Sequence, residues 1–146
     1  RDAGVNVPVL SGDGFDIGSE WANLPKESNV YFTTQADVGA DNTSPAVTAF
    51  RAAFKKKFPD AEPDAFSALG YDTVKLVAAA IEKAGSTDAE AVRTALSTLS
   101  GFKGITGDIS FAKGSQIPTK SVTIMKVTAG DEEFVRTILP TAIPAP

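Results

Sequence analysis

Residues 3–16 read Ala3-Gly4-Val5-Asn6-Val7-Pro8-Val9-Leu10-Ser11-Gly12-Asp13-Gly14-Phe15-Asp16. The branched apolar run over 5–10 fits a short buried strand, which Ser11-Gly12-Asp13-Gly14 breaks into a loop. Ahead of it, Arg1-Asp2-Ala3 reads as the last turn of a helix with Gly4 as its left-handed cap, so the chain is expected to begin mid-fold. Helix end, strand and glycine-rich turn make an α/β unit, and open α/β sheets place ligands where their parallel strands end. Gly12 and Gly14 allow backbone to approach a ligand closely, and Asp13 between them offers a carboxylate to a cation such as a primary ammonium. The same loop also reads as a tight turn with solvated aspartates. A dinucleotide site is disfavoured because the G-x-G-x-x-G pattern meets Ile17 where its third glycine belongs.

Downstream, a short helix is expected over 17–24, ended by Pro25, and then a strand over Val30–Thr34. The polar segment 35–44 reads as a linker. Ser44-Pro45 suits a helix start, and Val47, Phe50, Phe54 and Phe58 follow at helical spacing as one apolar stripe closed by Pro59. A long helix is predicted over 65–84, largely buried through Leu69, Val74, Val77, Ala78 and Ile81, and capped by Gly85. Thr87 and Glu90 have the spacing of a capping box for a third helix, with Ala91, Val92, Ala95, Leu96 and Leu99 as its apolar face. Strands are expected over 107–111 and 121–127, a turn at Lys113-Gly114-Ser115, and a hairpin through Gly130-Asp131 into 133–138. The proline-rich tail 140–146 suits no regular element, and no internal repeat is present.

Composition excludes several functions. The chain has 146 residues, 42% hydrophobic and 22% charged, which is ordinary for a globular domain and by length alone suggests one domain. A net charge of -4 argues against a nucleic-acid partner. The basic run Lys55-Lys56-Lys57 reads as a solvated helix end. No stretch approaches the roughly 18 to 20 apolar residues of a membrane span, so no membrane insertion is expected. The start has neither an initiating methionine nor the apolar core of a signal peptide. With no cysteine and no histidine there is no disulfide, thiolate nucleophile, Ser-His-Asp triad or histidine-ligated metal. Asp13 with Asp16 gives two carboxylates without a third ligand or a matched base, and Asp131-Glu132-Glu133 is expected to be solvated in a hairpin turn, so neither defines a reaction. Phe66, Tyr71 and Asp72 form a further cluster in which the aromatics suit either core packing or a pocket wall. Tyr71 and Asp72 point to different faces of their helix.

Residues 3–16, the helix segment 47–58, the block Pro63-Asp64-Ala65-Phe66-Ser67-Ala68-Leu69-Gly70-Tyr71-Asp72 with its helix through Gly85, and Phe102-Lys103-Gly104-Ile105-Thr106-Gly107-Asp108-Ile109-Ser110-Phe111 resemble, in order and spacing, the later part of branched-chain amino-acid-type periplasmic substrate-binding proteins. The resemblance covers nearly the whole chain. It implies an α/β fold of Rossmann-like parallel sheets with flanking helices, arranged as two lobes joined by three crossovers. Residues 1–34 then belong to the second lobe, 35–120 to the first, and 121–146 to a second-lobe return and tail. That overrides the single-domain expectation drawn from length.

The resemblance further implies binding of a small solute, an amino acid of branched-chain or other apolar type, for ABC-transporter uptake. It implies an extracytoplasmic or periplasmic location, a permease partner, no cofactor, no metal and no enzymatic activity. The family's ammonium-binding acid falls on Asp13, flanked by Gly12, Gly14 and Phe15, and an aromatic wall falls on or next to Phe66. The family's serine and threonine loops for the ligand carboxylate have no counterpart here, so an N-terminal portion of the same protein is expected as a further partner. A sensor of the same fold that signals to a partner protein, or a binder of an aromatic acid, amide or urea, is the competing reading. Self-association through apolar surface left uncovered is another.

Overall fold

A computed structural model describes residues 2–112 and 115–141. Its strands are β1 (Val9–Ser11), β2 (Val30–Thr34), β3 (Phe102–Gly104), β4 (Gly107–Phe111), β5 (Pro118–Lys120), β6 (Val122–Thr128) and β7 (Asp131–Ile138), and its α-helices are α1 (Pro45–Lys57), α2 (Ala65–Ala84) and α3 (Ala89–Ser97). One sheet has the order β1-β2-β6-β7 and a smaller one the order β3-β4-β5. The expected parallel pairing is present between β1 and β2, while β6 joins β2 and β7 joins β6 antiparallel. The tight turn at Ala129-Gly130 dictates the last of these, because so short a link can only fold a strand back beside its predecessor.

The first strand is shorter and less buried than its sequence suggested. Pairing begins at Val9, whose N–H donates to Asn29 O at 3.1 Å, because Pro8 has no N–H to give. Leu10 is exposed on the face of β1 opposite Val9 and Ser11, and Val5 and Val7, ahead of the strand, are exposed as well. Gly4 does adopt the left-handed conformation, with φ +75°, while the turn it was expected to cap reaches back to Arg1, outside the described residues. Lys113 and Gly114 of the predicted turn, and 142–146 of the tail, also lie outside them. The segment expected as a helix over 17–24 is a 3-10 helix, Gly18–Asn23.

Buried apolar residues gather in two places. Trp21, Val30, Phe32, Met125 and Val127 pack behind the four-stranded sheet, with Val9 against them. Ala36, Val38, Val47, Phe50, Ala65 and Ala68 form a second cluster between the linker, α1 and α2, joined by Phe54 and Ile105. The helical stripe of α1 is confirmed at Val47, Phe50 and Phe54, but Phe58 is the C-cap and stays half exposed. Ser44 begins α1 without a side-chain cap; instead Asn42 Oδ1 accepts the Ser44 N–H at 3.0 Å. The α3 cap is Asp88, whose carboxylate accepts from Glu90 and Ala91 N–H, one residue later than the Thr87 box predicted, because a carboxylate is the stronger acceptor for free helix N–H groups.

Helix α2 has a reciprocal cap, with Asp64 accepting from Ser67 N–H and Ser67 Oγ accepting from Asp64 N–H, and Gly85 ends it at φ +62°. It is not largely buried. Small residues, Ala65, Ala68 and Ala80, seat it, while Phe66, Tyr71, Val74 and Val77 remain exposed. A helix apolar nearly all round wants neighbours on every side, and the described residues cover one side.

Asp72 ties α2 to the small sheet. It is 3% exposed and accepts from Ile105 N–H (2.9 Å), Thr106 N–H (2.8 Å) and the Thr106 hydroxyl (2.8 Å), all in the turn between β3 and β4. A Cβ on Gly104 would collide with this carboxylate, which explains the glycine there. Asp72 is therefore a structural clamp. Replacing it with alanine leaves buried donors unpaired, and the expected loss of stability is about 3 kcal/mol, read from the urea unfolding midpoint. A loss under about 1 kcal/mol would contradict the clamp.

Candidate ligand-binding site

The loop after β1 is built on Trp21. Its indole Nε1–H donates to Phe15 O at 3.1 Å, its ring stacks on Phe32 with centroids 6.4 Å apart, and Phe15 meets it edge-on at 6.1 Å. The loop itself is a 3-10 turn, Asp13–Phe15, with Gly12 at its N-cap. Phe15 N–H donates to Gly12 O and Asp16 N–H to Asp13 O, which closes the turn and leaves the Asp13 side chain exposed. A Cβ at Gly12 or Gly14 would meet nothing within 4 Å, so the packing of the described residues does not itself demand glycine at either position.

Between the two apolar clusters lies a cavity of about 670 Å³. The loop supplies Asp16 and Gly18, the end of β2 supplies Thr34, the linker supplies residues 36–41, the start of α2 supplies Asp64 and Ala65, and the β6–β7 hairpin supplies residues 130–134. Its ionisable lining is Asp16, Asp37, Asp41, Glu62, Asp64, Asp131, Glu132 and Glu133 against Arg51 as the one cation among these lining residues. Arg51 is itself occupied, donating to Gly39 O and, at 2.9 Å, to Asn42 O. The cavity is thus strongly acidic.

Of the residues marked by sequence, Gly12, Asp13, Gly14 and Phe15 stand beside this cavity rather than in its lining, and Phe66 is exposed on the first turn of α2. What the fold brings across the opening is their neighbours. Asp16 from the loop and Asp64 from the start of α2 both line it. Among the described residues no group of acids has the arrangement of a metal site, and no helix is long and apolar enough to cross a membrane.

A sequence profile described as periplasmic binding protein matches residues 1–132. The chain belongs to that family. Among the chain's relatives is the Leu/Ile/Val-binding protein BraC3 of Rhizobium johnstonii, 30% identical over 132 residues, which cover 89% of this chain and 35% of the relative. Its fold is similar to that of a leucine binding protein, LivK, from Thermotoga maritima, with TM-score 0.77 and 32% identity over 96% of this chain and 39% of that one. It is also similar to the branched-chain amino acid transporter substrate binding protein LivJ from Streptococcus pneumoniae in complex with isoleucine, with TM-score 0.79 and 31% identity over the same shares. The chain spans about a third of the length of the curated relatives it matches.

Sequence reading missed the half-buried acids of this cavity. The sequence places Glu132 in solvent, yet its Oε1 is buried and, among the described residues, has no hydrogen-bond donor. The register explains the difference: Glu132 lies opposite Val127, which is fully buried, and residues directly opposite in an antiparallel pair share a face. Burial, then the charge of Asp16 and that of Asp37, push the Glu132 carboxyl up to about 7 from its ordinary 4.5, against a smaller opposing effect of the Gly18 N–H. Burial also raises Asp16, with Asp64 and Asp13 adding to it, while the hydrogen bond donated by the buried Thr34 hydroxyl works the other way.

The stability consequence follows from where each state holds its proton. Unfolded, Glu132 ionises near its ordinary 4.5; folded, it keeps its proton to about 7. The folded state therefore binds more protons between these values, and this contribution to stability is full below the lower one and lost as pH rises through the higher. Glu132→Gln is expected to flatten the fall in thermal midpoint between about pH 5 and about pH 8. An unchanged pH profile in the variant would contradict the assignment.

Proposed function

We propose that this chain is part of an extracytoplasmic solute-binding protein that delivers a branched-chain or other apolar amino acid to an ABC permease. The observation that carries the reading is the likeness, at 31–32% identity and TM-scores of 0.77 and 0.79, to a leucine binding protein and to a transporter binding protein holding isoleucine. The sign of the cavity agrees with it, since an acidic cleft favours a ligand that presents an ammonium over one that presents only a carboxylate. No residue set for catalysis is proposed: the chain has no histidine or cysteine and its family is one of binding proteins.

In this reading 1–34 and 121–146 belong to one lobe and 35–120 to the other, and ligand favours the closed form because only there does it touch both. Two features support a hinge at the crossovers. The apolar clusters divide between those segments, and Lys120 Nζ donates to Gln35 O at 2.9 Å, holding the two crossover strands side by side. Asp13 takes the ligand ammonium, Gly12, Gly14 and Phe15 shape the loop around it, and Phe66 walls the side-chain pocket. The remaining partners of the ligand lie in sequence beyond these residues, as expected for a chain about a third the length of its relatives.

Calorimetric titration of leucine, isoleucine and valine into the protein as its gene encodes it is expected to show one tight site. Asp13→Ala is expected to weaken it by about 2 to 5 kcal/mol, the range for leaving a buried charge unpaired, and unchanged affinity would sink the amino-acid assignment. The 146 residues alone are expected to bind weakly or not at all and to self-associate through the exposed face of α2 in light scattering. Tight binding by the isolated chain would overturn the division of the site between lobes.

A further inference from the structure

Glu132 is where the cavity's electrostatics meet the crossovers. It shares the cavity lining with Asp16 and Gly18 of the loop and Asp37 of the linker. On its own element Asp131 and Glu133 also line the cavity, and Glu133 is paired with Lys126 of β6 at 3.7 Å. Across the opening stand Asp41, Glu62 and Asp64. Glu62 is paired with Lys55, and Arg51 is held by backbone carbonyls, so neither of these cations is directed at Glu132. Among the described residues the buried Oε1 has no donor.

An ionised carboxylate in that position has two ways to reduce its penalty. It can take up a proton and become a donor to a neighbouring carboxylate, or its surroundings can move apart and admit water. Asp37 sits on the linker and Asp16 on the loop that holds Thr34 at the end of β2, so moving apart here means moving the linker relative to the sheet.

We propose that Glu132 is a proton-operated spacer at the crossover: ionised, it pushes the linker away from the loop and sheet through Asp37 and Asp16, and protonated, it donates its one proton to a neighbouring carboxylate and lets the cavity contract. This rests on the hinged reading above and adds its regulation. Closure then takes up a proton, and by linkage a ligand that favours closure binds more tightly as pH falls through the neutral range.

The test places spin labels at Asn23→Cys and Lys56→Cys, both exposed and outside the cavity lining, in the protein as its gene encodes it. Pulsed electron resonance reads their separation without ligand at about pH 5.5 and about pH 8.5, either side of the expected transition. The separation is expected to shorten on acidification with a midpoint near 7. Glu132→Gln is expected to hold the short separation at both pH values. Asp16→Asn, which removes one of the repelling charges, is expected to move the midpoint to lower pH. Circular dichroism checks that each variant keeps its fold, and Glu82→Gln, exposed on α2 and outside the cavity lining, is expected to behave as the parent. A pH-independent separation in the parent, or an unchanged pH response in Glu132→Gln, overturns the spacer. Saturating leucine at about pH 5.5 separates this failure from failure of the hinge. If leucine shortens the distance and pH does not, the hinge stands and the spacer falls; if neither does, both fall.

Discussion

The pairing of β2 with β6 is the constraint on which the rest of the structure depends. It sets Val30 opposite Val127 and Phe32 opposite Met125, and Phe32 and Val127 are the largest side chains buried almost completely. These residues give Trp21 a surface to stack on, and Trp21 in turn holds the Asp13–Phe15 turn through its carbonyl. The same pairing fixes where the β6–β7 hairpin begins and brings Glu132 to face Asp16. Loss of this one ladder would remove the support of the loop and of the hairpin that lines the cavity together.

Much of the fold was legible because local signals and tertiary structure agree. The strand at Val30–Thr34, the helix start at Pro45, the glycine stop at Gly85 and the hairpin around Gly130 all arise from backbone preferences that need no distant partner. The errors came where a distant partner decides. Leu10 is apolar but exposed because the described residues leave its face of β1 uncovered, and α2 is apolar on faces that the described residues do not cover. Asp88 displaced Thr87 as a cap because two good capping residues stood in succession, and spacing alone did not choose between them.

The candidate site was less legible than the fold. Asp13 and its glycines stood out by pattern, whereas Glu132 lay in an acidic triplet whose composition suggests solvent. Only the strand register distinguishes Glu132 from its neighbours: Lys126 lies opposite Glu133 with both side chains partly in water, while Val127 lies opposite Glu132 and is buried. A shift of one residue would have exchanged their roles. Trp21 was passed over for a similar reason, since a lone aromatic in a six-residue polar turn carries no periodic signal.

The interleaving of the two clusters along the chain also bears on the order in which they form. The linker, α1 and α2 gather their apolar residues from one continuous stretch, residues 36–68. The four-stranded sheet must bring Thr34 to Thr123, a separation of 123 − 34 = 89 residues. Closing so long a loop is entropically slow, and during synthesis β2 leaves the ribosome well before its partner strand. The helical half is therefore expected to be assembled while β2 still waits, a nascent edge rich in aromatic and branched residues. Pulse-labelling hydrogen exchange during refolding reads that order directly, with amide protection in α1 and α2 expected to precede protection in β2.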